Sequence, residues 1–261
     1  MDILNLIPMI YGKFILYILA STRISTLLYT FVIFRKEVIT GRIMVSLSAI
    51  LGVYIVLLNP EQQPNIDVFS IQMLTQELLQ VLIGLLAGLI LNIVFEVFSA
   101  LGQIVSTQIG LSLASLIDPR YGTITNLTQF YIISATLMFL LMNGHLFIIK
   151  LIMDSFTVIP VSHVFMPQHL IGDVMNYSSI MFASSAMLSI TIVIAMLLTN
   201  IALAVMTKFA PQLNIFSIGI NMAVIFGLIL VYMTYHLFID QGSNVLREGL
   251  NHLQTAFMKM G

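Results

Sequence analysis

From Asp173 to Asp240 the chain carries a single charge, Lys208. Similar uncharged runs separate Arg42 from Glu61, Glu77 from Glu96, Glu96 from Asp118, and Arg120 from Lys150. A hydrocarbon core about 30 Å thick is crossed by about 20 helical residues, so runs of this length suit a membrane or an interior covered by other subunits. The composition agrees. Of 261 residues, 59% are hydrophobic and 8% are charged, whereas a soluble domain carries about 25% charged residues. So little charge cannot coat a water-exposed surface, which excludes an ordinary soluble enzyme and a disordered chain. The net charge of −1 leaves no footprint for a nucleic acid. Cys is absent, so disulfides and thiolate metal sites are excluded.

The apolar runs predict helices at 12–34, 43–58, 70–98, 100–117, 125–152, 176–207 and 213–238. The fold class is therefore all-α, a polytopic integral membrane protein of six to seven apolar helices. The third and fourth segments read either as one long bent helix or as a hairpin. The runs are continuous rather than alternating in units of about ten residues, which argues against a membrane barrel. The N-terminus has neither a basic region nor a small-residue cleavage site, so no cleaved signal peptide is expected. Arg35, Lys36 and Arg42 follow the first segment, while the loop 59–66 holds no Lys or Arg. The positive-inside rule then puts the basic cluster in the cytoplasm and the N-terminus outside.

Asp118-Pro119-Arg120-Tyr121-Gly122 reads as a turn. Proline biases its predecessor away from helix, so a helix is expected to end near Asp118. In the tail, Leu246, Leu250, Leu253, Phe257 and Met260 recur at alternating spacings of 4 and 3, with Arg247, Glu248, Asn251 and His252 between them. This predicts an amphipathic helix over 240–260 that docks on a partner rather than on a membrane surface.

No phosphate loop, nucleophile elbow or His-Glu-x-x-His pair is present. His163 and His169 share a Pro-containing loop without a nearby acidic or thiol ligand, so both read as loop histidines. No catalytic residue, metal or cofactor is expected. The 17 Met residues form no single helical stripe and read as adaptable core filler, with a deformable seal around a passage as the sharper alternative.

Two patterns stand out. Gly84 and Gly88, then Gly102, Ser106, Gly110 and Ala114, repeat every four residues. Such rows let helix backbones approach closely, within this chain or against another subunit. Gln103 and Gln108 on the same segment must find polar partners or water. The second pattern is charge inside apolar segments, at Arg23, Glu77 and Glu96. A charge facing lipid at the bilayer centre costs about 2.5–3.5 kcal/mol, so a structural pair is expected, with Arg23 and Glu77 the natural candidates.

These features fall in an order that resembles the FliR family of flagellar type III export-gate proteins and their injectisome relatives of the SctT/SpaR type. The resemblance rests on Arg23-Ile24-Ser25, then Glu77 with Gly84 and Gly88, Gly102-Gln103, Gln108-Ile109-Gly110-Leu111 and Asp118-Pro119. Asn143-Gly144-His145, Asp154-Ser155-Phe156, Pro160, the block Ala210-Pro211-Gln212-Leu213-Asn214-Ile215-Phe216, and Gly219 complete it. Asn221 stands where the family often has Pro, and Lys208 where it usually has Arg.

The resemblance implies a single export-gate domain over 1–261 in the bacterial inner membrane, at the flagellar basal body. It implies assembly with FliP and FliQ, with FlhB and FlhA as neighbours, and unfolded flagellar proteins as the exported substrates. Helices in that family are hairpins, many covered by partner subunits rather than lipid. Leu113 and Leu116, with Gln108 and Gly110, then correspond to the closed end of the export path. Gly84, Gly88, Gly102, Ser106 and Ala114 pack helices or subunits, and Arg23, Glu77, Glu96 and Asp118 are structural charges. Two other readings of the residues are a secondary transporter broken at Asp118–Gly122 and a membrane enzyme acting on lipid. The first predicts matching halves and the second a clustered site; neither is evident in the sequence.

Overall fold

The computed structural model describes residues 3–34, 39–62, 64, 66–111, 125–161, 168–209 and 219–258. Arg35, Lys36, Leu113, Ala114, Leu116, the turn Asp118–Gly122, His163 and the block Ala210–Phe216 lie outside the described residues. Among the described residues the fold is all-α. Seven helices follow in order: α1 Ile3–Thr30, α2 Gly41–Leu58, α3 Ile71–Ile109, α4 Asn126–Leu141, α5 Gly144–Val158, α6 Gln168–Phe209 and α7 Ile220–Met258. Among the described residues, four are long and apolar enough to cross a membrane, or five if α4 and α5 are counted as one broken span.

Three boundaries differ from the sequence reading. Of the two readings of the third and fourth segments, the single long helix is the one observed, as α3 over Ile71–Ile109. It ends at Ile109, because Gly110 adopts φ 90°; the expected end near Asp118 is thus not where this helix stops. The predicted segment 125–152 is divided at Asn143, which takes the left-handed conformation (φ 57°, ψ 29°) as N-cap of α5. Asn tolerates that region better than most residues. Finally, the tail is no separate element. It is the last part of α7, which runs unbroken to Met258. Its apolar positions Leu246, Leu250 and Leu253 are 0%, 8% and 0% exposed, so this chain's own packing covers them without a partner.

The helices form two compact units, and α3, α6 and α7 each contribute to both. Unit 1 comprises Met1–Ile93, Asn143–Tyr177 and Gly249–Gly261. Its core includes Ile15, Leu16, Leu19 and Ile24 of α1 with Ile83 and Ile90 of α3, all at most 2% exposed. Unit 2 comprises Val94–Met142 and Ser178–Glu248. Its core is aromatic: Phe95 meets Phe139 edge-on at 5.5 Å, and Phe238 meets Phe98 at 5.9 Å and Tyr131 at 4.9 Å. Edge-to-face rings at these spacings are favourable beyond their burial. Thr125 starts α4 by accepting from Thr128 N, the usual N-cap device.

Candidate functional site

Arg23 is 2% exposed, and among the described residues it has no carboxylate partner. Its Nε donates to Gln80 Oε1 at 2.6 Å. Nη1 donates to Ser155 O at 3.1 Å and Ser155 Oγ at 3.3 Å, and Nη2 to Ile159 O at 3.1 Å. Ser155 and Ile159 sit at the C-terminal end of α5, where carbonyls lack helical donors and the helix dipole is negative. The Arg23 charge is therefore matched by a helix end. Gln62 adds to the same cap, donating from Nε2 to Phe156 O at 3.1 Å.

The expected Arg23–Glu77 pair does not form. Glu77 Oε1 accepts instead from Thr22 Oγ1 at 2.6 Å. Adjacent helical residues diverge by about 100°, so α3 meets Thr22 through Glu77 and Arg23 through Gln80. Glu77 Oε2 is buried without a hydrogen-bond partner. Glu96 is exposed on α3.

The small-residue row has local reasons. A Cβ at Gly84 would lie 2.5 Å from Arg23 O, and one at Gly88 2.6 Å from Thr30 Cβ and 3.1 Å from Leu27 O. These two glycines seat α3 directly on the α1 backbone. Beside them, Asn92 Oδ1 accepts from Val32 N at 2.6 Å and its Nδ2 donates to Thr30 O at 2.5 Å, closing the end of α1. In unit 2, a Cβ at Gly102 would lie 2.5 Å from Thr128 Cα. Ser106 is 0% exposed, with its Oγ unpartnered, and Gln108 is half-buried.

Gly110 has a different task. Leu111 N donates to Ser106 O at 3.0 Å and Gly110 N to Thr107 O at 3.2 Å. With φ 90° at Gly110, this is a Schellman cap that stops α3.

The sequence reading missed four positions. Gln80 and Gln62 were passed over, although Gln76 and Gln80, four apart in an apolar run, share a helix face and are each 1% exposed. Gly227 and Gly242 were also unremarked. A Cβ at Gly227 would run into Ile109, and one at Gly242 would lie 3.2 Å from Met138 Cε and Phe98 Cε1. Among the described residues, no cluster of three His, Asp or Glu could hold a metal.

The blocks around Arg23, Glu77, Gly84 and Ser155 thus converge in space as well as in order. Residues 14–249 match the family described as bacterial export proteins, family 1. The chain belongs to that family. Among its curated relatives, a flagellar biosynthetic protein FliR of Buchnera aphidicola subsp. Baizongia pistaciae is 30% identical over 252 residues, covering 95% of this chain and 97% of the relative. FliR of Escherichia coli K12 is 28% identical over 217 residues, or 83% and 82% of the two chains. The surface presentation of antigens protein SpaR of Shigella flexneri is 27% identical over 144 residues, or 55% and 56%. The resemblance to the FliR family is borne out. As a bacterial export protein with several apolar helices of membrane-spanning length, the chain is a membrane-embedded component of protein export.

Proposed function

We propose that this chain is a subunit of a flagellar type III export gate in the bacterial inner membrane, forming with FliP and FliQ a closed channel for unfolded flagellar proteins, next to FlhB and FlhA. One observation carries the reading. The apolar part of α6, Val174–Phe209, is 36 residues long, or about 54 Å at 1.5 Å per residue. Its outward apolar residues run from Met175 (71% exposed) through Ile194 and Leu197 to Phe209 (83%). A hydrocarbon core of about 30 Å would cover that length only at a tilt of about 55°, beyond the usual range of about 0–40°. Lipid alone therefore leaves apolar surface bare, and helices of other subunits fit the remainder. Coverage of 95% of this chain by one FliR relative, against 55% by SpaR, favours the flagellum over an injectisome.

Leu113 and Leu116 are proposed as the seal, since a narrow apolar constriction closes by dewetting. Native mass spectrometry after gentle detergent extraction tests the assembly: a hetero-complex with smaller hydrophobic subunits is expected, and a monomer or homo-oligomer overturns it. Planar-bilayer conductance of the complex tests the seal. Replacing Leu113 and Leu116 by Ser is expected to raise ion leakage with assembly intact; a tight complex, or loss of assembly without a leak, rejects it.

A further inference from the structure

The outward faces of this chain are apolar along α6, at Ile190, Ile194, Leu197 and Ile201. One face of α3 is polar instead. Glu96, Gln103 and Thr107 are exposed and Ser99 is half-buried. At 100° per residue these four fall within an arc of about 80°. The residues between them, Val97, Phe98, Leu101 and Val105, are at most 2% exposed and point the other way. Between Glu96 and Thr107 the exposed polar residues of α3 are thus confined to a narrow stripe on an uninterrupted helix. Among the described residues the one side-chain hydrogen bond in the stripe is local, from Thr107 Oγ1 to Gln103 O at 2.8 Å. The stripe stops where Gly110 ends the helix, just before the segment that carries Leu113 and Leu116.

A carboxylate and a carboxamide turned outward are disfavoured against lipid, which offers no hydrogen-bond partner. A dry helix contact suits them poorly as well, since it would bury Glu96 without a counter-charge among the described residues. Water suits all four. Gln, Ser and Thr each both donate and accept, as does a peptide group, so the stripe matches any polypeptide backbone regardless of sequence.

We infer that the Glu96–Thr107 face of α3 is a wet wall of the export passage, which presents amide, hydroxyl and carboxylate groups to water and to the main chain of an unfolded polypeptide. This inference rests on the export-gate reading above.

The chain has no Cys, so single thiols at Glu96→Cys, Gln103→Cys and Thr107→Cys report without background. Leu197→Cys on the α6 face serves as control. Cells exporting a flagellar substrate are treated with a small, charged, membrane-impermeant maleimide. All three stripe thiols are expected to react at least about tenfold faster than the control, because a thiol in apolar surroundings stays protonated and inert. Modification at Gln103→Cys is further expected to slow export, whereas the control is not affected. Protection of Gln103→Cys and Thr107→Cys to the level of the control, with export intact, overturns the inference and makes the stripe a helix contact, leaving the gate reading standing. If Glu96→Cys fails to accumulate, the other two positions decide. If the unsubstituted chain supports no flagellar export, the gate reading itself falls, and this inference with it.

Discussion

The Arg23 guanidinium lies 4.2 Å from the centroid of the Phe156 ring, on the same short stretch whose carbonyls it caps. A planar fork reaches Gln80, Ser155 and Ile159 together; an ammonium cannot. Arg23→Lys is therefore expected to lose at least two charge-assisted hydrogen bonds, each worth about 1.5–3 kcal/mol. Thermal unfolding of the detergent-solubilised complex checks this. A transition unchanged from wild type would show that the fork geometry contributes nothing.

Gly84→Ala sets two effects against each other. Helix propensity favours Ala by about 1 kcal/mol, while overpacking costs about 1–3 kcal/mol. At Gly84 the obstacle includes Arg23 O, a backbone atom, so overpacking wins and stability falls. Thr26→Ala in the same chain does not restore it. Gly172→Ala, with nothing within 4 Å, is neutral or better. Yield and melting temperature of the three variants separate these outcomes.

Gly110 distinguishes a packing row from a helix stop. If close packing is its task, Ala is tolerated better than Asn. If the positive φ is its task, Asn is tolerated better, since a residue with a Cβ costs about 1–2 kcal/mol there and Asn is the usual substitute. The Schellman hydrogen bonds predict the second order. Recovery of assembled complex from Gly110→Ala and Gly110→Asn decides between them.

For the C-terminal part of α7, Leu253→Ala is expected to destabilise the isolated chain by about 2–5 kcal/mol, the usual cost of truncating a buried leucine. Limited proteolysis of the chain without its partners reads this. Equal protection of wild type and variant would return the tail to a docking role.

The sequence revealed segments and close approaches far better than partners. Uncharged runs located the apolar helices but not the break at Asn143 between α4 and α5, because burying peptide groups in an apolar setting leaves helix as the simplest solution. Gly84, Gly88 and Gly102 were recognisable as contact points, since only glycine leaves room for a backbone. The partner of Arg23 was not. A carboxylate is the obvious mate in a list of residues, whereas the end of α5 becomes a counter-charge only once folding points it at α1. Gly110 misled for a related reason: its spacing fits the small-residue row, and its φ is visible only in three dimensions.

The capping of α5 by Arg23 links positions 132 and 136 residues apart. A ribosome adds about 5–20 residues per second, so about 7–27 s pass between the synthesis of this arginine and that of its last acceptor. Until then the charge sits in a nascent apolar helix with its main acceptors still unmade. A chain interrupted before Ile159 leaves that charge without its α5 acceptors, which couples the settling of the first helix to the arrival of the fifth.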